Sequence, residues 1–343
     1  MSNRFGTAFT ITTWGESHGK AIGVVIDGCP AGLPLSESDI QPYLDARRPG
    51  LSAHTSPRSE PDRVTIESGV FEGKATGAPI ALRIENKDAK PSAYDQLQKL
   101  LRPGHANQTY LQKYGVFDYR GGGRASARET AARVAAGAVA QKLLLQHGMH
   151  IHAAVVQVGN LKTANYNEDE HILSLLETIK VEGDSIGGVV ECICTGIPAG
   201  LGEPIYGKVE ALLAHAMLSI PASKGFEIGC GFAAATMRGS EHNDLPLSEA
   251  NNAGGTLAGI TTGNPLVFRV PFKPTSSIKK VQKTKDVDGN SSTLTVGETG
   301  RHDPCVALRA PAVVQAMAAL VLADLLLLTA KSQIDSLKPL QSR

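Results

Sequence analysis

Three histidine-bearing loops hold the residue types needed for acid–base chemistry on an anionic substrate. His18 stands in GESHG, His105 in RPGHA, and His302 beside Asp303 in GRHDP, each loop bounded by glycine or proline. An imidazole, with an ordinary pKa of about 6.5, gives or takes a proton near neutrality. Asp303 adds a carboxylate, and Arg102 and Arg301 lie beside the second and third loops. A single loop histidine is commonly structural, but three loops sharing Arg, His and Gly character read as walls of one anionic pocket. Two further runs suit phosphate. YRGGGRASARET places three glycines and Arg124 before a helix start at Ser126, where unpaired N–H groups and a positive dipole end attract anions. KPTSSI follows a strand-like run with an ammonium and three hydroxyls, Thr275, Ser276 and Ser277. Neither run matches a Walker loop or a dinucleotide-binding glycine fingerprint.

Arginines gather twice more, as Arg47, Arg48, Arg58 and Arg63 and as Arg120, Arg124, Arg128 and Arg133. In a chain of net charge +1 such clusters suit a small, highly charged anion rather than a polyanion track. For Arg133 a solvated helix face fits equally well. Nucleic acid and membrane are therefore not expected partners, and aromatics at 5% leave no base-stacking platform. The five cysteines form no C-x-x-C pair, so neither a disulfide framework nor a metal site is expected, and a reducing cytoplasm fits. The N-terminal MSNRFGTAFTITTWG lacks the apolar core of a secretory leader.

These loops need elements to hold them. FTITTW, AIGVVID, RVTIES and PIALRIE read as strands, and LSESDIQPYLDARR as a helix from Ser36 to the Pro49-Gly50 stop. A second helix is predicted over about 126–147, with Ser126 and Glu129 forming a capping box. AVVQAMAALVLADLLLL, interrupted by Gln315 and Asp324, reads as a buried core helix. Residues 160–172 and 279–299 are expected to be mobile loops, and 330–343 a flexible tail. VVIDGCPAGLP and ECICTGIPAGLGEP echo each other, each followed by a helical pattern, which suggests one domain over 1–343 built as two pseudo-symmetric halves. A chance match of turn residues is the alternative. Strands and helices without βαβ alternation give an α+β fold class.

GESHGKAIGVVIDGCP, RPGHANQTY, YRGGGRASARETAARVAAGAV, GDSIGG, IPAGLGEP, KPTSSI and GRHDPC resemble, in order, the motifs of the chorismate synthase family, covering about 15–328. The resemblance implies a helical layer sandwiched between antiparallel β-sheets and, as a rule, a homotetramer. It implies an anti-1,4-elimination of phosphate from C3 and hydrogen from C6 of 5-enolpyruvylshikimate 3-phosphate, dependent on reduced FMN, with NADPH entering only indirectly as reductant. Whether such a chain reduces its own flavin or relies on an external flavin reductase is left open. By the same resemblance His18 is the group that meets the departing phosphate, and His105 keeps the reduced flavin in its reactive protonation state. Asp303 is the acid working with flavin N5 at the C6 proton. Arg47, Arg102, Ser126, Ala127, Arg128 and Arg301 would grip the substrate. Arg124, Ala125, Ser126, Asn252, Ala253, Ala258, Lys273, Pro274, Thr275, Ser276, Ser277 and Arg301 would hold FMN. The chain departs from the family pattern at Ala53, Asn107, Ala125, Ala258 and Gln315, where arginine, aspartate, serine, glycine and glutamate are usual. Another flavin-dependent oxidoreductase, or a non-catalytic anion-binding relative, are the alternative functions.

Overall fold

A computed structural model describes residues 3–48, 60–89, 94, 97–246, 250–295, 303–330 and 332. Alternating and continuous apolar runs in the first third form strands β1 (Arg4–Phe5), β2 (Thr10–Gly15) and β3 (Ala21–Asp27). Helix α1 (Glu37–Arg47) follows, starting after Ser36, whose backbone N–H donates to Asp39 at 2.8 Å. Then come β4 (Val64–Ile66), the small hairpin β5 (Val70–Phe71) and β6 (Lys74–Ala75), and β7 (Ile80–Glu85). The first sheet runs β1-β2-β3-β7-β4 and is antiparallel throughout.

Helices α2 (Asn107–Tyr114) and α3 (Thr130–Leu145) lead to a second set of elements. These are β8 (His150–Val158), β9 (Leu161–Lys162), α4 (Glu170–Val181), β10 (Gly188–Thr195), α5 (Val209–Leu218) and β11 (Glu227–Ile228). After α6 (Gly239–His242) and the pair β12 (Thr256–Leu257) and β13 (Ile260–Thr261), β14 (Leu266–Phe272) completes a second sheet, ordered β9-β8-β10-β14-β11. It too is antiparallel. The hairpin β15 (Gln282–Lys285) and β16 (Ser291–Leu294) and helix α7 (Ala310–Thr329) close the chain.

Helix α3 packs on β3 and β7, α7 packs on β8 and β10, and α3 and α7 lie against each other. The helical layer between two antiparallel sheets is thus the predicted α+β architecture. Gly137 lets the two helices approach: a Cβ there would stand 2.4 Å from that of Ala316. Helix α7 is long and apolar enough to cross a membrane by length and composition, but most of it is buried between the sheets. Its Asp324 turns inward and accepts the backbone N–H groups of Thr7, Ala8 and Phe9 at 2.6–3.0 Å, an arrangement that only a folded core provides. Cys192 and Cys194 share one face of β10 and are fully buried.

Three local expectations change. The capping box at Ser126 does not form. Ser126 caps a 3₁₀ turn, Ala127–Glu129, and α3 begins at Thr130. Glu129 is drawn instead to Arg133 at 2.9 Å and faces Arg124. The segment 160–172 contains β9 and the start of α4, whose N-terminus Asp169 caps by accepting from His171 and Ile172. The segment 279–299 contains the β15–β16 hairpin, because Asp286 gathers Asp288, Asn290 and the Asn290 side chain into a tight turn. Residues 296–300 and all of the expected tail except 330 and 332 lie outside the described residues, as do Ala53, Arg58, Arg301 and His302.

Candidate active site

Two consecutive glycines seat the two imidazoles. Gly121 and Gly122 have φ of +66° and +95°, backbone that only glycine adopts readily. A Cβ on Gly121 would lie 2.4 Å from His18 Cδ2, and one on Gly122 would lie 2.8 Å from His105 Cε1. His18 and His105, far apart in sequence, therefore face the two residues of one glycine loop. The His18 ring is buried and meets Tyr94 edge-on at 4.8 Å between centroids. Arg102 Nη2 lies 3.3 Å from His105 Nδ1. A guanidinium cannot accept, so Nδ1 is the acceptor, and in the neutral ring the proton sits on Nε2 beside Gly122.

The His105 loop touches the KPTSSI run. Ser276 Oγ donates to Gly104 O at 2.7 Å, and Lys273 Nζ donates to Ser276 Oγ at 2.6 Å. Thr275 Oγ1 donates to the Asp303 carbonyl at 3.0 Å, and Ser185 Oγ to the Thr275 carbonyl at 2.7 Å. Ile186 N bonds Pro304 O at 2.8 Å, so GDSIGG is the strut beneath both runs. Asp303 is buried and paired with Arg309 at 2.5 Å.

A second path leads back to His18. Arg309 stands close enough to Arg47 to help depress its pKa. Burial is the largest cause of that shift, Asp62 opposes it, and the Arg47 guanidinium falls to about 10. Asp62, wholly buried, accepts from Arg47 at 3.0 Å and from Arg128. The other Arg47 nitrogens bond Thr130 Oγ1 and Ala127 O, and those of Arg128 bond Asn86 Oδ1 and Glu85 O. Asn86 in turn clasps the 16–19 turn that carries His18. The side chains thus close a ring running from His18 through His105, residues 273–277, Asp303, Arg309, Arg47, Asp62, Arg128 and Asn86.

Charge within this ring is unevenly satisfied. Arg47, Arg128 and Arg309 have carboxylate partners in Asp62 and Asp303, and Glu60 lies 3.9 Å from Arg128. Arg102 is buried with its Nε unpartnered and, among the described residues, pairs with no carboxylate. Burial, its largest influence, pulls its pKa down to about 10. Among the described residues Lys273 donates to oxygens of Gly104, Pro274 and Ser276, and burial and then Lys224 lower its pKa. Two cations that meet no carboxylate among the described residues flank one histidine loop and fit a polyanionic ligand, and with the hydroxyls of Thr275, Ser276 and Ser277 they fit a phosphate-bearing cofactor.

Other expected binding residues lie further out. Arg124 turns toward β2, donating to Thr13 O at 2.9 Å and facing Asn3, with its Nη1 4.0 Å from the Glu129 carboxylate and without a hydrogen bond. Ala125, Ser126 and Ala127 form the 3₁₀ turns next to Gly123. Asn252 and Ala253 pack beside the start of β14, where Gly254 O accepts from Val267 N. Six residues of strand separate that point from Lys273, about 20 Å. Ala258, exposed at φ +52°, sits in the β12–β13 turn. Within the chain these three are not brought to residues 273–277. Asp62, Asn86, Tyr94 and Arg309 were not singled out from sequence. The adjacency of Arg309 to GRHDP and of Asn86 to a predicted strand end were the only signals.

Comparison with known proteins gives a consistent picture. A family model described as chorismate synthase matches residues 9–327. Chorismate synthase of Protochlamydia amoebophila is 51% identical over 97% of this chain and 100% of its own length. That of Methanosarcina mazei is 49% identical over 94% of this chain and 95% of the relative. A crystal structure of chorismate synthase superposes with a TM-score of 0.76 at 33% identity, covering 95% of this chain and 94% of that one.

Proposed function

This chain belongs to the chorismate synthase family, and on that premise we propose that His18, His105 and Asp303 carry its chemistry inside the ring of side chains just described. The reaction is the anti-1,4-elimination of phosphate and the C6 hydrogen from 5-enolpyruvylshikimate 3-phosphate to give chorismate, the last step of the shikimate pathway. The family is flavin-dependent. The observation that carries the residue assignment is the seating of both imidazoles on Gly121 and Gly122.

The substrate bears two carboxylates and a phosphate. Arg102, which pairs with no carboxylate among the described residues, takes one of these groups, and Arg301 is assigned to the same ligand by the family resemblance. Arg47 and Arg128 act from below: their forks are filled by Asp62 and backbone carbonyls, so they contribute by ordering residues 126–127 and the pocket floor. Lys273 and the hydroxyls of Thr275, Ser276 and Ser277, with Pro274 shaping the turn, hold FMN, aided by Arg124, Ala125, Ser126 and Arg301. Reduced FMN, when bound, supplies the electron density that makes cleavage of the allylic C3–O bond feasible. His18 donates a proton to the oxygen departing with phosphate, neutralising charge where it develops. His105, oriented by Arg102 with its Nε2 proton beside Gly122, would keep the reduced flavin in its reactive protonation state. Asp303, anchored by Arg309 and by the Thr275 contact to its backbone, is the acid–base group for the C6 proton.

NADPH serves only as a source of electrons for the flavin. The chain acts in the cytoplasm as a homotetramer, which would cover the exposed Ile205, Tyr206, Phe232 and Leu257. Asn252, Ala253 and Ala258, at the far end of β14, are assigned to the flavin site of a neighbouring copy. The test is anaerobic turnover of 5-enolpyruvylshikimate 3-phosphate with dithionite-reduced FMN. Wild-type chain is expected to release chorismate, and His18→Asn, His105→Asn and Asp303→Asn each to slow it by about two to four orders of magnitude. A near-normal rate in any variant removes that residue's role.

A further inference from the structure

We propose that Asn86 is a positioning residue for His18, held in place by the Arg128–Asp62 pair; this rests on the role of His18 proposed above. The turn 16–19 closes on itself through one backbone bond, Gly19 N to Glu16 O at 3.1 Å. Its contacts to the glycine loop, Ser17 N to Gly123 O and Ser17 Oγ to Arg120 O, are both long at 3.3 Å. Asn86 adds two shorter ties. One nitrogen, Nδ2, donates to Glu16 O at 3.0 Å and to Gly19 O at 2.9 Å, so a single planar amide bridges both ends of the turn that bears His18. Its backbone N–H donates to Lys20 O at 3.1 Å, extending the grip to the residue before β3.

The amide is itself oriented from the other side. Arg128 Nε donates to Asn86 Oδ1 at 2.9 Å, which fixes which end of the amide carries the N–H groups. Arg128 cannot swing away, because Asp62 binds its Nη1 and Glu85 O accepts from its Nη2 at 3.3 Å. Asp62 holds a left-handed backbone at φ +45°, uncommon for a residue with a side chain, while its carboxylate spans Arg47 and Arg128. The requirements at position 86 are therefore two N–H donors and one acceptor in one plane at the end of a short stem. Asparagine alone meets them: aspartate has no donors, serine is too short, and glutamine carries an extra methylene.

Displacing a proton donor by about 1 Å costs on the order of a hundredfold in rate. Asn86→Asp keeps the shape and the Arg128 contact but sets a carboxylate oxygen against two carbonyls, and Asn86→Ala removes the clamp. Both are expected to lower kcat ten- to a hundredfold, with KM for the substrate and flavin uptake changed by less than about threefold. Flavin uptake and the thermal transition report whether the variants fold. The decisive readout is a double-mutant cycle with His18→Asn. A residue that acts through His18 costs little more once that imidazole is gone, so the double variant should match His18→Asn alone. Additive losses, or a wild-type kcat in Asn86→Asp, would overturn the inference while leaving the His18 role intact. A near-normal rate for His18→Asn would overturn the His18 role instead, and the inference with it.

Discussion

One methyl group separates a working His18 from a displaced one. At Gly121 a Cβ would overlap the imidazole edge at 2.4 Å, and φ is +66°. Gly121→Ala is therefore expected to cut kcat at least tenfold while leaving flavin uptake near normal, as steady-state kinetics beside a flavin titration would show. Arg102 carries the opposite kind of role. Its buried charge meets no carboxylate among the described residues, and a charge-assisted bond is worth about 1.5–3 kcal/mol. Arg102→Ala should raise the substrate KM by about ten- to a hundredfold, with a smaller change in flavin affinity. The histidine loops and KPTSSI were legible because glycine and proline mark turns and the chemistry-bearing types stand out within them. Asp62, Asn86 and Arg309 were not, because nothing local distinguishes a buried carboxylate bridging two arginines from a surface one. Their roles arise only when a strand end, a helix end and a loop meet.

The hairpin β15–β16 shows how an element far from the chemistry sets it. Leu101 N bonds Lys285 O at 3.0 Å, Val287 N bonds Lys99 O at 2.9 Å, and Thr284 Oγ1 donates to Leu101 O. The hairpin therefore braces the chain just before Arg102 and His105. Thr284→Val, which keeps the β-branched shape and removes the hydroxyl, is expected to raise KM and lower kcat together by several-fold without changing the thermal transition appreciably. Paired kinetics and calorimetry would check this, and an unchanged KM would count against the brace. The polar side chains of this segment read as a loop, whereas the Asp286-centred turn carries the structural information. Ser126 shows the converse. A capping-box spacing was present, but Arg133 and Arg124 compete for the Glu129 carboxylate, and long-range charge outweighed a local motif.

At the scale of the whole molecule, the two sheets share a spatial strand order, although β1 precedes β2 in the chain whereas β9 follows β8. β1, β2, β3, β7 and β4 lie in the order in which β9, β8, β10, β14 and β11 lie in the second sheet, with α1 and α3 in one half matching α5 and α7 in the other. The echoed VVIDGCPAGLP and ECICTGIPAGLGEP runs span the ends of β3 and β10, each the third strand in its sheet's order. Helix α1 is tied to α3 by Asp39 and Lys142. Burial alone would raise the Asp39 pKa, but hydrogen bonds from Lys142 and Ser36 and the Lys142 charge outweigh it and hold the carboxyl below its ordinary value of 3.8. A depressed folded-state value means that this contribution is present above about pH 4 and is lost as pH falls through the folded value. Lys142→Ala should therefore be less stable than wild type at pH 6, with the gap narrowing below pH 4, in denaturant titrations across that range.

Loops distant in sequence are held to converge on one polyanion-binding pocket, and a crystal structure of the ternary complex with FMN and 5-enolpyruvylshikimate 3-phosphate tests this most directly. The expected result places the substrate phosphate within hydrogen-bond reach of His18, an anionic group on Arg102 and the flavin against residues 273–277. Substrate bound away from His18 and His105, with Arg102 left without an anion, would contradict it.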